Sequence, residues 1–284
     1  MRQLILTLIA LAASLPAVAQ DLPAEQRATA LGGLRPLVSA DAAMPWTGVG
    51  RLDTGVSFCS ATLITDRLVL TAAHCLFDPA TAERIADADL TFQAGLRNGR
   101  PEALRGVRRS HVPEAYAPRD DPTLESIGMD LALLELELPV RSNRIAPIAT
   151  GRRADPETVV TVVSYGAERE AHASIEEGCL VLEGQGAVRL LSCRVVQGSS
   201  GAPVIRLTED GPELVAVISA TARDRSGADV SMAVALDAPF IELLDAMERG
   251  AGRPGGAAGQ GRLRMTAPAG DGGRSSIGAR FIRP

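Results

Sequence analysis

Short apolar runs rich in β-branched residues recur along the chain, with Gly, Pro and Asp between them. They fall at 61–64, 68–70, 131–138, 158–163, 202–207, 214–219 and 232–236. Runs of this length between turn signals predict strands, and a succession of them without intervening helical periods predicts an all-β barrel or sandwich. The five residues from Val159 to Val163 never alternate with polar ones, so this strand is expected to be buried on both faces. The stretch 180–191 reads as a hairpin around Gly184 and Gly186. Only near the end does the period change. Asp237 is placed to cap a helix, Pro239 suits its first turn, and Phe240, Leu243, Leu244 and Met247 share one face. That face is expected to pack on the second half of the domain.

The two ends differ from the middle. Met1-Arg2-Gln3 precedes an apolar stretch from Leu4 to Leu15, and Ala17-Val18-Ala19 forms a small-x-small site before Gln20. This is the pattern of a secretory signal peptide over 1–19, and it predicts a secreted or periplasmic protein. Residues 20–45 form an N-terminal segment that is a candidate pro-region, and 46–248 the folded domain. Residues 249–284 hold ten Gly, seven Arg and one Asp, which predicts a disordered basic tail. Such a tail either contacts anionic surfaces or is merely a solvated end. Ile277 and Phe281-Ile282 are its only hints of docking. After the leader, no stretch approaches the roughly 18 apolar residues of a membrane helix, so no transmembrane segment is expected. All 29 basic residues are Arg and the net charge is −5, which gives no reason to expect a nucleic-acid partner.

Four cysteines in an exported chain read as two disulfides, with three connectivities open. The local solution pairs Cys59 with Cys75 and Cys179 with Cys193. Zinc is the rival use of these residues, but no C-x-x-C spacing occurs, and neither a metal nor a cofactor is expected.

Three segments carry chemistry: Thr71-Ala72-Ala73-His74-Cys75, then Met129-Asp130-Leu131-Ala132-Leu133-Leu134, then Gly198-Ser199-Ser200-Gly201-Ala202-Pro203. They supply a base, an acid to orient it and a hydroxyl nucleophile among small residues, which suffices to break an acyl bond. Singly each is weak. Their joint occurrence in the order His, Asp, Ser is not, because unrelated folds use other orders. An α/β-hydrolase would need Gly-x-Ser-x-Gly with the His last, whereas Ala202 ends this pentapeptide and His74 comes first.

These motifs resemble those of the trypsin/chymotrypsin-like serine proteases, of the compact bacterial secreted type. The stretch Ser57-Phe58-Cys59-Ser60-Ala61-Thr62-Leu63-Ile64 also resembles the family strand that is disulfide-bonded to the cysteine after the catalytic His. The resemblance spans about 46–247. It implies two antiparallel six-stranded β-barrels with a C-terminal helix, an active site between them, and a protein or peptide substrate. It implies Ser200 as nucleophile, His74 as general base and Asp130 as its orienter. The backbone N–H groups of Gly198 and Ser200 would form the oxyanion hole, and Ser219 would hydrogen-bond Asp130. The chain departs from the pattern in places. Ser199 stands where zymogen-activated animal members carry an Asp that pairs with a new N-terminus. Arg194 falls at the pocket-floor position, Thr221 at a pocket wall, and Ile218 where glutamate-specific relatives place a His. Arg194 pointing into solvent from a hairpin edge is the alternative. His111 and His172 match no motif and read as surface residues. A catalytically silent homologue acting as a binding module is the rival function.

Overall fold

The computed structural model describes residues 33–119, 121–224, 227–251 and 279–281. The expected signal peptide, residues 20–32 and residues 252–278 lie outside them. A short strand β1 (Arg35–Pro36) and one helical turn α1 (Ala40–Ala43) lead into the first barrel. Its strands are β2 (Val49–Asp53), β3 (Phe58–Leu63), β4 (Leu68–Thr71), β5 (Thr91–Ala94), β6 (Ala103–His111) and β7 (Ala132–Leu136). They close in the order β2-β3-β4-β7-β6-β5, all antiparallel. A short helix α2 (Leu124–Gly128) interrupts the connection from β6 to β7.

The second half contains β8 (Ala149–Thr150), β9 (Val159–Ser164), β10 (Ser174–Gln185), β11 (Val188–Leu191), β12 (Pro203–Thr208), β13 (Gly211–Asp224) and β14 (Asp229–Ala235). Six of these run β10-β11-β14-β13-β12-β9, and β9 pairs back onto β10 to close a second six-stranded barrel. The two-barrel architecture expected from the motifs is therefore present. Disulfides join Cys59 to Cys75 and Cys179 to Cys193, the local connectivity.

Three apolar clusters explain why the strands read as they do. Leu52, Leu63, Val69, Phe92 and Leu134 fill the first barrel; Val160, Val162, Val181, Val204 and Ile218 fill the second. A third cluster, with Leu70, Leu131, Leu133, Val163, Tyr165, Val217 and Phe240, lies between them. On β7, Ala132, Leu134 and Leu136 therefore face the barrel interior, whereas Leu131 and Leu133 face the seam. A strand with two buried faces has no polar positions to alternate with, hence its continuous apolar run. The same holds for β9, except that Val159 at its start is 59% exposed.

The C-terminal helix α3 (Ala238–Ala251) buries Phe240, Leu243 and Met247 as the periodicity predicts, with Leu244 partly covered. Its partner differs from expectation. The face packs on the shared seam and reaches β6 and β7 of the first barrel, where Arg109 Nη2 donates to the Met247 carbonyl at 3.0 Å. The helix thus ties the barrels together instead of resting on the second alone. Two described stretches fall within the expected tail, 249–251 and 279–281. The helix continues to Ala251, and Ala279–Phe281 forms β15, antiparallel to β13. No helix among the described residues is long and apolar enough to cross a membrane.

Candidate active site

His74 sits in a 3-10 turn, Ala73–Leu76, at the end of β4. Two ties fix that turn to β3: the Cys59–Cys75 disulfide, and the Thr71 hydroxyl donating to the Ser60 carbonyl at 2.8 Å. Asp130 is delivered by α2, whose first turn is closed by reciprocal hydrogen bonds between Thr123 and Ser126. Ile127 anchors this helix in the seam, and the Asp130 amide donates to the Ile127 carbonyl at 2.9 Å. Residue 130 is thereby set immediately before β7, beside the His74 turn.

The Asp130 carboxylate is buried, at 4% exposure, and receives three hydrogen bonds. The His74 amide reaches Oδ1 at 2.8 Å, His74 Nδ1 reaches Oδ2 at 2.7 Å, and the Ser219 hydroxyl reaches Oδ2 at 2.5 Å. Burial alone would raise the carboxyl pKa. The His74 charge and the hydrogen bonds from the His74 ring, Ser219 and the His74 amide outweigh burial, and the net shift is downward. For His74 burial lowers the pKa, but the Asp130 charge and hydrogen bond more than offset it and the net shift is upward. An ionised carboxylate only accepts, so Nδ1 must carry the proton, and in the neutral ring Nε2 is left as a lone-pair acceptor. Tyr116, its ring tilted by 47° to that of Phe77 with centroids 5.8 Å apart, borders the same carboxylate. Burial and the Asp130 charge both raise the pKa of its phenol.

Ser200 lies on the loop between β11 and β12, and the first barrel grips that loop. The Ser60 amide donates to the Ser200 carbonyl at 2.8 Å, and the Ser60 hydroxyl donates to the Gly198 carbonyl at 3.0 Å. Gly198 has φ +89°, and a Cβ there would strike the Phe58 ring, so glycine is required both by conformation and by space. With the Gly198 carbonyl turned to Ser60, the amides of Gly198 and Ser200 donate to no acceptor among the described residues. No hydrogen bond joins Ser200 to His74 among the described residues. Such contacts commonly tighten only when substrate is seated.

Ser199 is fully buried, and its hydroxyl lies within hydrogen-bond reach of Ser164 Oγ (3.2 Å), the Tyr165 carbonyl (3.4 Å), Arg169 Nη2 (3.2 Å) and the Val196 amide (3.4 Å). Arg169 also donates to the Ser164 carbonyl at 2.7 Å. Burial pushes its pKa down to about 10, against the pull of Glu176. Sequence reasoning singled out Ser199 as a departure from the family pattern but missed Ser60, Arg169 and Tyr116. Only the glycine-flanked motif downstream signalled that a loop needed holding.

Arg194 is exposed. Its amide donates at 2.9 Å to Glu176 Oε2, a carboxylate that is itself buried at 6% exposure. Burial raises the Glu176 pKa, with the Arg194 amide and the Arg194 and Arg169 charges opposing it. Thr221 is half-buried on β13, opposite Ser231 of β14. His111 and His172 are half-buried and stand apart from the His74–Asp130–Ser219 array. Two clusters have the compactness of a metal site, Cys59-His74-Cys75 and Glu176-Cys179-Cys193. Their sulfurs are all committed to disulfides, so neither offers a thiolate.

The arrangement combines an oriented imidazole, a hydroxyl on a rigid loop and two unspent amide donors. A family model described as Trypsin matches residues 38–241. Among solved structures, a Glu endopeptidase in complex with MPD superimposes with a TM-score of 0.63. It is 16% identical, and the match covers 76% of this chain and 97% of that one.

Proposed function

The chain belongs to the trypsin family, and on that premise we propose that it is an exported serine endopeptidase acting through His74, Asp130 and Ser200. The Ser200 hydroxyl attacks the scissile carbonyl while His74 Nε2 takes its proton. The resulting tetrahedral oxyanion is held by the amides of Gly198 and Ser200. His74 then protonates the leaving amine, and water repeats the sequence to release the acid from the acyl-enzyme. Asp130 keeps Nδ1 protonated and stabilises the imidazolium, and Ser219 holds Asp130 in place. The residues need no cofactor for this chemistry. The observation that carries the reading is the three-way hydrogen bonding of buried Asp130 to His74 and Ser219. Export is supported by the leader pattern and by two disulfides.

The test is labelling by a fluorophosphonate probe. The folded protein is expected to label at Ser200 and the Ser200→Ala variant not at all. Absence of label on folded protein would instead identify a silent homologue that binds without cleaving.

The reading has two further consequences. His74 must be neutral to accept a proton, and its pKa lies above the ordinary imidazole value of 6.5. Activity is therefore expected to fall as pH drops through a midpoint above 6.5, measured as kcat/KM on a peptide substrate. A midpoint below that value would contradict the charge coupling to Asp130. Second, Arg169→Ala is expected to lower kcat by roughly ten- to a hundredfold with little change in KM, because the loop bearing the two amide donors loses its brace. Arg169→Lys recovers only part, since one ammonium cannot reproduce a planar fork. An unchanged kcat in Arg169→Ala, with an unchanged melting temperature, removes Arg169 from this role.

A further inference from the structure

The edge of β13 is divided into three parts. One edge pairs with β14 along its length, from Ala216 to Arg223. On the other, β12 pairs as far as Val217, after which the nucleophile loop takes over: Ile218 exchanges hydrogen bonds with Gly201 and Ala202 at 2.8 and 2.9 Å. At the far end β15 occupies Ala222–Asp224, with Ala222 opposite Phe281 and Asp224 opposite Ala279. Between these, on this second edge, Ser219, Ala220 and Thr221 have no strand opposite them among the described residues, although Ala220 and Thr221 pair with β14 on the first. Ser219 is the residue that bonds Asp130. A gap about three residues long, roughly 10 Å, thus opens on a sheet edge beside Ser200.

A bare edge of this kind accepts an extended peptide by main-chain pairing. The direction of β15 matters here. It is antiparallel to β13, with Ala279 opposite Asp224 and Phe281 opposite Ala222, so β15 itself is directed towards Thr221 and Ser219 and not away from them. Three residues follow Phe281 in the sequence given, Ile282, Arg283 and Pro284, and none is acidic. We propose that the segment following β15 docks in this gap, so that the chain holds its own extended strand where a peptide substrate would lie. The inference rests on the proposed peptidase reading and adds an in-cis competitor to it. Residues 252–278 connect α3 to β15 in the sequence, so β15 belongs to the same chain as the edge it pairs with. A tethered strand acts at an effective concentration in the millimolar range, so even weak pairing competes with free peptide.

The experiment uses the full chain, unaltered and as Arg280→Pro, with a fluorescent synthetic peptide of residues 277–284 as probe. Proline in mid-strand removes an N–H and a ladder position, so the variant releases the edge. Phe281→Pro serves as a second variant, and a melting curve confirms that the barrels stay folded. The peptide is expected to bind both variants at least tenfold more tightly than the unaltered chain, and to slow fluorophosphonate labelling of Ser200 in them. Equal binding to all three proteins overturns the proposal, as does tight binding that leaves labelling untouched. Binding that weakens as protein concentration rises assigns the gap to a second copy's strand and overturns the in-cis occupant. Failure of the probe to label any of the proteins defeats the peptidase reading, whereas the binding comparison still decides the docking.

Discussion

Changing Ser200 or His74 to Ala is expected to lower kcat about a millionfold, and changing both is expected to cost no more than either alone. The reason is that the two groups form one device. A serine hydroxyl is nearly inert at neutral pH unless its proton is taken as it attacks, and an imidazole beside an absent hydroxyl has nothing to activate. What survives comes from the amides of Gly198 and Ser200 and from binding, roughly a thousandfold or more over water. The site geometry predicts that this remainder persists, because the loop is held by Ser60, Ser164 and Arg169 and not by the Ser200 side chain. Single-turnover rates on an activated peptide ester would measure both quantities. Additive losses in the double variant would mean that His74 does not serve Ser200.

Asp130→Asn is expected to cost about ten-thousandfold in kcat while leaving the fold intact. Asp130 accepts hydrogen bonds from three donors and offers none. An amide of the same shape brings an NH2 group to one of those positions and forces a donor against a donor. The imidazole relieves the conflict by moving its proton to Nε2, the nitrogen that has to receive the proton from Ser200. The pH profile separates this from mere misplacement. With the negative charge gone and burial retained, His74 loses what raised its pKa, so the acid limb of the residual activity moves to lower pH. A limb that stays in place would show that Asp130 does not set the charge state of His74. Asp130→Ala should also destabilise the fold, since it leaves the His74 amide and the buried Ser219 hydroxyl without an acceptor.

The contrast between what could and could not be read from the sequence is physical. The strands of the second barrel, and β3, β4 and β7 of the first, were legible because their apolar runs are local, and the proposed reactive residues because each sits in a short motif with a fixed neighbour. β2, β5 and β6 were not, because Val49–Asp53, Thr91–Ala94 and Ala103–His111 mix few apolar residues with polar or charged ones. Arg169 was not. It lies in the run Ala167-Glu168-Arg169-Glu170, which reads as a solvated face, and only folding brings its guanidinium to Ser199 thirty positions later. Ser60 was quoted only as part of the strand motif, because its bonds to the nucleophile loop span more than a hundred residues. For α3 the periodicity identified the buried face but could not name the surface that covers it, and a seam between two barrels belongs to both. β15 is three residues long, too short for alternation to register, in a segment whose composition points to disorder.

His74 and Asp130 are held by strands and turns of the first barrel, and Ser200 and Ser219 by the second. Neither half contains a working set. Under the proposed mechanism a chain with one barrel formed and the other still open can cut nothing, its own unfolded neighbours included. Reactivity becomes a property of docking, reported by the seam, and a partly folded protease in transit is safe because its two halves have not yet met.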